Sequence, residues 1–94
     1  MKEISVFELK KLSNINLIDI RSREKYNDNH IPGAINIPKI IMVKDYYKYL
    51  NKYETYYIYC QRGEQSVKLC IFLNKLGYRT INIKGGYESW ILNN

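Results

Sequence analysis

TYYIYCQRGEQSVKLCIFLNKLG, residues 55–77, changes its hydrophobic period midway. Tyr56, Tyr57, Ile58 and Tyr59 form a run of β-formers that stops at Cys60. Five polar or small residues follow, and from Ser66 to Gly77 the apolar residues recur with the period of a helix. A strand therefore meets a helix across a short loop. In an α/β sheet this puts Cys60 at the carboxyl end of a strand, where ligands bind, facing the amino end of the next helix. N–H groups of the loop and first helical turn, together with the helix dipole, favour an ionised thiol at such a place. Arg62 adds a fixed positive charge, and Gly63 permits a positive φ through which successive amides converge on an anion. Ser66 is expected to cap the helix and to offer a hydroxyl donor. Glu64 is discordant, because a carboxylate here opposes a bound anion unless it turns away or pairs with Arg62.

Working outward, Ser5 and Glu8 form a capping box for a short helix over about 6–12 with Val6, Leu9 and Leu12 on one side, and Ile4 before it suits a brief edge strand. NLIDI, residues 16–20, is a short apolar run that reads as a buried parallel strand, and Ser22 caps a short helix to about Asn27. Asp19 and Arg21 stand at the end of that strand and are candidates to support the rim that holds Cys60. A local pair of Asp19 with Arg21 or Lys25 is the simpler role. His30-Ile31-Pro32-Gly33 is a turn leading to a strand over 34–37. His30, the single histidine, is either a base for Cys60 or a side chain that bonds the turn backbone; the second is favoured by its position.

Between Lys39 and Lys52 a helix is expected, with Val43, Tyr46, Tyr47, Leu50 and Tyr53 facing the core and Lys44, Lys48 and Lys52 on another face. Tyrosine interleaved with lysine can stack on single-stranded nucleic acid, but this segregation favours packing and a solvated face instead. Tyr78–Ile83 reads as a last strand. Gly85-Gly86 permits a close or left-handed backbone, lacks the Lys-Ser/Thr of a phosphate-binding loop, and leads into a terminal helix anchored by Trp90. Cys70 falls on the apolar face of the helix after Ser66 and reads as an inert buried thiol. Five short strands alternating with helices give an α/β fold with a largely parallel sheet covered on both faces.

Ninety-four residues suit one domain, and 46% hydrophobic with 26% charged residues is an ordinary globular composition. The opening MKEISVFELKK lacks a long apolar core and no window approaches a membrane span, so a cytoplasmic protein without a membrane partner is expected. Two cysteines and one histidine do not make a plausible structural zinc site, and Cys60 and Cys70 are poorly placed for a disulfide. A net charge of +6 raises encounter rates with anions without choosing among them.

Cys60-Gln61-Arg62-Gly63-Glu64-Gln65-Ser66 resembles the Cys-x-x-Gly-x-x-Ser loop of the rhodanese superfamily. Three collinear stretches strengthen the likeness: Leu17-Ile18-Asp19-Ile20-Arg21 with Glu24 and Tyr26, His30 to Pro38, and Gly85-Gly86-Tyr87-Glu88-Ser89-Trp90. The resemblance implies a rhodanese-like fold over residues 1–94, with a small, mostly parallel five-stranded sheet. It implies a thiosulfate sulfurtransferase in which Cys60 carries sulfur as a persulfide, with no cofactor. Gln61, Arg62, Gly63, Glu64, Gln65 and Ser66 would form the anion-binding loop, and His30 would be structural. Its partners would be a small anionic sulfur donor, or a protein persulfide, and a thiol or cyanide-like acceptor, with no nucleic acid involved. Gln65 departs from the family, standing where a basic residue is often found, which leaves thiosulfate less secure as donor. Two other readings remain: a sulfur-relay or non-catalytic interaction module, and a Cys-based phosphatase or arsenate reductase. The latter lacks its gripping arginine, because the sixth residue after Cys60 is Ser66.

Overall fold

β4 (Thr55–Tyr59) lies at the centre of the sheet and ends one residue before Cys60. The computed structural model describes residues 1–93. Along the chain, β1 (Lys2–Ile4), α1 (Val6–Leu9), β2 (Asn16–Asp19), α2 (Arg23–Asp28), β3 (Ile35–Asn36) and α3 (Lys39–Tyr49) precede β4. It is followed by α4 (Glu64–Lys75), β5 (Arg79–Ile83) and α5 (Gly86–Leu92). The strand order is β1-β5-β4-β2-β3 and each neighbouring pair is parallel. Ile58 is held in register between Ile18 of β2 and Asn82 of β5.

Alternation along the strands divides the core in two. Tyr56, Ile58 and Cys60 join Ile18 and Ile20 on one face, beneath Met42 and Leu50 from the α3 segment and Leu69, Cys70 and Leu73 of α4. Leu17, Tyr59 and Ile83 point to the other face and meet Val6 and Leu9 of α1, Ile31, Ala34 and Tyr87 of α5. Trp90 packs, partly buried, against this second cluster, with Lys10 over its ring. Side chains as buried as Ile58 and Leu73 each contribute roughly 1.5–3 kcal/mol. The expected α/β architecture is thus the one formed, with the third strand cut to two residues.

Besides α1, which stops at Leu9 rather than about Leu12 and leaves Leu12 exposed, two helices differ from the sequence expectation. On α3 the inward stripe is Met42, Tyr46 and Leu50, whereas Val43 and Tyr47 are exposed, and so is Tyr53 beyond the helix. Non-helical dihedrals at Asp45 (φ −119°, ψ 24°) kink the helix, and Leu50 has already turned extended, so no single periodic face runs from Lys39 to Lys52. The lysines therefore do not stack: Lys48 approaches Asp45 at 3.7 Å and Lys52 lies over the Tyr78 ring. The second difference is that α4 starts at Glu64 rather than Ser66, because Gly63 takes the N-cap position with φ +93°. Ser66 is then inside the helix and fully buried, and it does not cap it.

Candidate active site

At the carboxyl end of β4 the Cys60 sulfur is nearly buried and receives two backbone donors, Gly63 N at 3.1 Å and Ser66 N at 3.3 Å. Both amides belong to the cap and first turn of α4, where N–H groups have no partner within the helix, so the sulfur takes the place of a missing carbonyl. The Ser66 hydroxyl stands 3.3 Å from the same sulfur. Two backbone donors and the amino end of a twelve-residue helix therefore face the sulfur.

Amides can converge only if the loop carbonyls go elsewhere. The amino end of α5 takes them: Tyr87 N donates to the Cys60 carbonyl and Glu88 N to the Gln61 carbonyl, each at 2.9 Å. Val67 N takes the Gly63 carbonyl at 3.2 Å. The approach of α5 is close enough to require glycine. A Cβ on Gly86 would lie 2.3 Å from the Cys60 carbonyl oxygen, and one on Gly63 would lie 3.0 Å from Gly85 N. The Gly85-Gly86 pair, read from sequence as permitting a close or left-handed backbone, is thus the seat of the sulfur-bearing loop.

Among the loop side chains, Arg62 bridges to Glu88 of α5 at 3.0 Å while remaining largely exposed, and it does not pair with Glu64. Glu64 is exposed in the first turn of α4, where the dipole favours a carboxylate. Gln61 accepts from Arg21 at 3.2 Å, and Gln65 is bonded to the Lys39 ammonium. The cation lacking at position 65 is therefore supplied in space by the first residue of α3. Lys25 of α2 joins Arg62, Gln61 and Gln65 around the opening at Cys60. Neither Lys25 nor Lys39 was legible as part of this rim, since each lies far from Cys60 in sequence.

Asp19 and Arg21 form a buried pair behind the rim. The Arg21 guanidinium makes three side-chain hydrogen bonds to Asp19, at 2.8–3.2 Å, and its backbone N–H makes a fourth. Further contacts reach the Asn29 carbonyl and the face of the Tyr87 ring, 4.1 Å from its centroid. Burial alone would push the Arg21 guanidinium down, but the hydrogen bonds and charge of Asp19 outweigh it and hold it above its ordinary value. This is the local pair expected from sequence, with Gln61 as its one link to the loop. His30 bonds the Tyr26 carbonyl at 2.9 Å and stacks on the Tyr26 ring, and it does not line the opening at Cys60. On the core face of α4, Cys70 is fully buried, and desolvation pushes its thiol up to about 11.

Comparisons of sequence and structure bear on the family and the fold. The model of the rhodanese-like domain matches residues 5–93. A probable molybdopterin-synthase adenylyltransferase from Porphyra purpurea is 35% identical over 96% of this chain, which spans only 25% of that protein. A putative sulfurtransferase, YtwF, from Bacillus subtilis is 31% identical, covering 96% of this chain and 90% of its own length. Thiosulfate sulfurtransferase PspE from Escherichia coli is 34% identical, with 88% and 81% covered. The crystal structure of a rhodanese-like domain protein from Staphylococcus aureus superposes with a TM-score of 0.86 at 33% identity, covering 96% of this chain and 91% of that one. With a family match running from residue 5 to residue 93, through the cysteine loop and the glycine pair that seats it, the chain belongs to the rhodanese-like domain family.

Proposed function

We propose that the protein is a sulfurtransferase in which Cys60 carries one sulfane sulfur, as a persulfide, from an anionic donor to a thiophilic acceptor. The observation that carries this reading is the pair of amides on the Cys60 sulfur, with the neighbouring carbonyls drawn away by α5. With thiosulfate as donor, the Cys60 thiolate attacks the outer sulfur, the S–S bond of the donor breaks, and its electron pair leaves with sulfite. An acceptor such as cyanide or a thiolate then attacks the outer sulfur of the persulfide and restores the Cys60 thiolate. Gly63 N and Ser66 N stabilise the thiolate at both ends of this cycle. Lys25, Lys39 and Arg62 lend positive charge to the rim, Arg62 with its charge partly offset by Glu88. Gln61, Glu64 and Gln65 shape the opening. Asp19 and Arg21 hold Gln61 from behind.

A relay between proteins is a second reading, favoured by the exposed cations on the rim, which suit an acidic partner that presents a persulfide. Incubation with thiosulfate followed by mass spectrometry tests the main reading: one added sulfur is expected on the peptide containing Cys60, and none in Cys60→Ser. Loading from a protein persulfide but not from thiosulfate would select the relay. No added sulfur from either source would overturn both readings. Hydrolysis of p-nitrophenyl phosphate, assayed in parallel, is expected to be absent, since buried Ser66 occupies the place of an oxyanion-gripping arginine.

A further inference from the structure

Asn82 is a fully buried amide at the centre of an otherwise apolar strand segment, Ile81-Asn82-Ile83. Its Oδ1 accepts the Ser66 hydroxyl proton at 2.5 Å, and its Nδ2 donates at 2.9 Å to Oε2 of Glu3 on the edge strand β1. A carboxylate can only accept from the amide, so Glu3 fixes which end of Asn82 faces Ser66. The Ser66 hydroxyl has one proton. While that proton is on Asn82, the oxygen presents a lone pair to the Cys60 sulfur 3.3 Å away. It can therefore accept from the thiol, but it can donate to a thiolate only by turning away from Asn82.

We propose that Asn82, turned by Glu3, is a positioning residue that sets the direction of the Ser66 hydroxyl and thereby tunes the Cys60 sulfur. The inference rests on Cys60 as the sulfur carrier and concerns the step that delivers the sulfur. In that step the acceptor's electron pair forms a bond to the outer sulfur, the persulfide S–S bond breaks, and its electron pair returns to Cys60 Sγ. One sulfur passes to the acceptor, and no external oxidant or reductant enters. The charge returned to Sγ meets the two fixed amides and a hydroxyl that can leave Asn82 to become a third donor. Parked on Asn82, that donor withholds itself from the inner sulfur of the persulfide until the electron pair returns there.

Asn82→Leu removes the competing acceptor. Glu3→Ala lets the amide turn its Nδ2 toward Ser66, with the same consequence for the hydroxyl proton. Each is expected to raise the rate of Cys60 alkylation by iodoacetamide about threefold at a pH one unit below the midpoint of the parent's alkylation profile, where the thiolate is the minority form and a charge-assisted hydrogen bond enlarges its share by more than it blunts its reactivity. Glu3→Gln, whose amide can pair with Asn82 in either orientation, should fall between the parent and Glu3→Ala. In a Ser66→Ala background both increases should vanish, because Asn82 acts only through that hydroxyl. Glu3 lies exposed on β1, so Glu3→Ala serves where Asn82→Leu does not fold. Unchanged alkylation in these variants, or an increase that persists without the Ser66 hydroxyl, would overturn the proposal; the hydroxyl would then be settling on its other acceptor, the Gly63 carbonyl. Sulfur loading of the same proteins reports separately. Loading lost with the alkylation pattern intact supports the role of Asn82 and strikes the carrier reading alone.

Discussion

Gly86→Ala tests whether the amino end of α5 holds the sulfur-bearing loop open. At Gly86 the added Cβ would lie 2.3 Å from the Cys60 carbonyl oxygen and 3.0 Å from both the Gln61 carbonyl oxygen and Gly63 N. All three are backbone atoms, so no rotamer relieves the contact, and loop and helix must part by at least the 0.7 Å separating 2.3 Å from a tolerable 3.0 Å. Parting them breaks the bonds from Tyr87 N and Glu88 N, each worth about 1 kcal/mol. The left-handed backbone, φ +58°, costs a non-glycine residue about 1–2 kcal/mol more. The sum is about 3–4 kcal/mol. Gly33→Ala is the control, since Gly33 also has a positive φ, +89°, but a Cβ there meets nothing within 4 Å. It should lose only the backbone share, about 1–2 kcal/mol, and keep full activity. Urea titration of the two variants measures the difference, and sulfur loading under native conditions measures function. A displacement of this size at the reacting group can cost on the order of a hundredfold in rate. A Gly86→Ala protein matching Gly33→Ala in both stability and loading would refute the idea that α5 orients the loop.

Two further outcomes follow from the buried groups around the site. Arg21→Ala strips the fully buried Asp19 carboxylate of its guanidinium, leaving it the backbone N–H of residue 21 and the Tyr59 hydroxyl, and breaking such a pair should cost about 3–5 kcal/mol in urea titration. A loss under about 1 kcal/mol would show that the pair is solvated in solution. Cys70 is held neutral by burial, its thiol pushed from 9.0 up to about 11, so the native protein should take label at Cys60 alone at pH 8, with Cys70 reacting only after denaturant is added. Because the raised value favours the neutral form, its contribution to stability is complete below pH 9.0 and is lost as pH rises toward 11. Stability should therefore fall more steeply across that window in the parent than in Cys70→Ala; equal slopes would contradict it.

What could be read from the sequence divides by the range of the interaction involved. The capping box of Ser5 and Glu8, the Ser22 cap and the apolar run of β2 are settled within four residues, and each is found where the sequence puts it. The strand-loop-helix around Cys60 is equally local, and Gly63 turns with the positive φ expected of it. Ser66 misled because serine before an apolar-periodic run ordinarily caps. Here a glycine three residues earlier starts the helix, and the hydroxyl is drawn inward by Asn82, sixteen residues away. The inward face of α3 failed for a related reason: a kink at Asp45 changes which residues share a side, and nothing in the local sequence demanded it.

The parts of the site that were not legible are those supplied across the sheet. α5 begins twenty-six residues beyond Cys60, and the glycines at its start gain meaning only when strand order brings them against the loop. Lys25 and Lys39 reach the rim in the same way, from helices that precede β4. One cue was nevertheless present in the sequence: asparagine between two isoleucines on a strand of a sheet covered on both faces must be buried, and a buried amide must find partners. Asn82 finds Glu3 and Ser66, and through Ser66 it reaches the sulfur. Thr80, the other buried polar residue of β5, bonds the Cys70 carbonyl and Asn74 of α4 instead, so position near the carboxyl end of the strand, and not polarity alone, ties Asn82 to the cysteine loop.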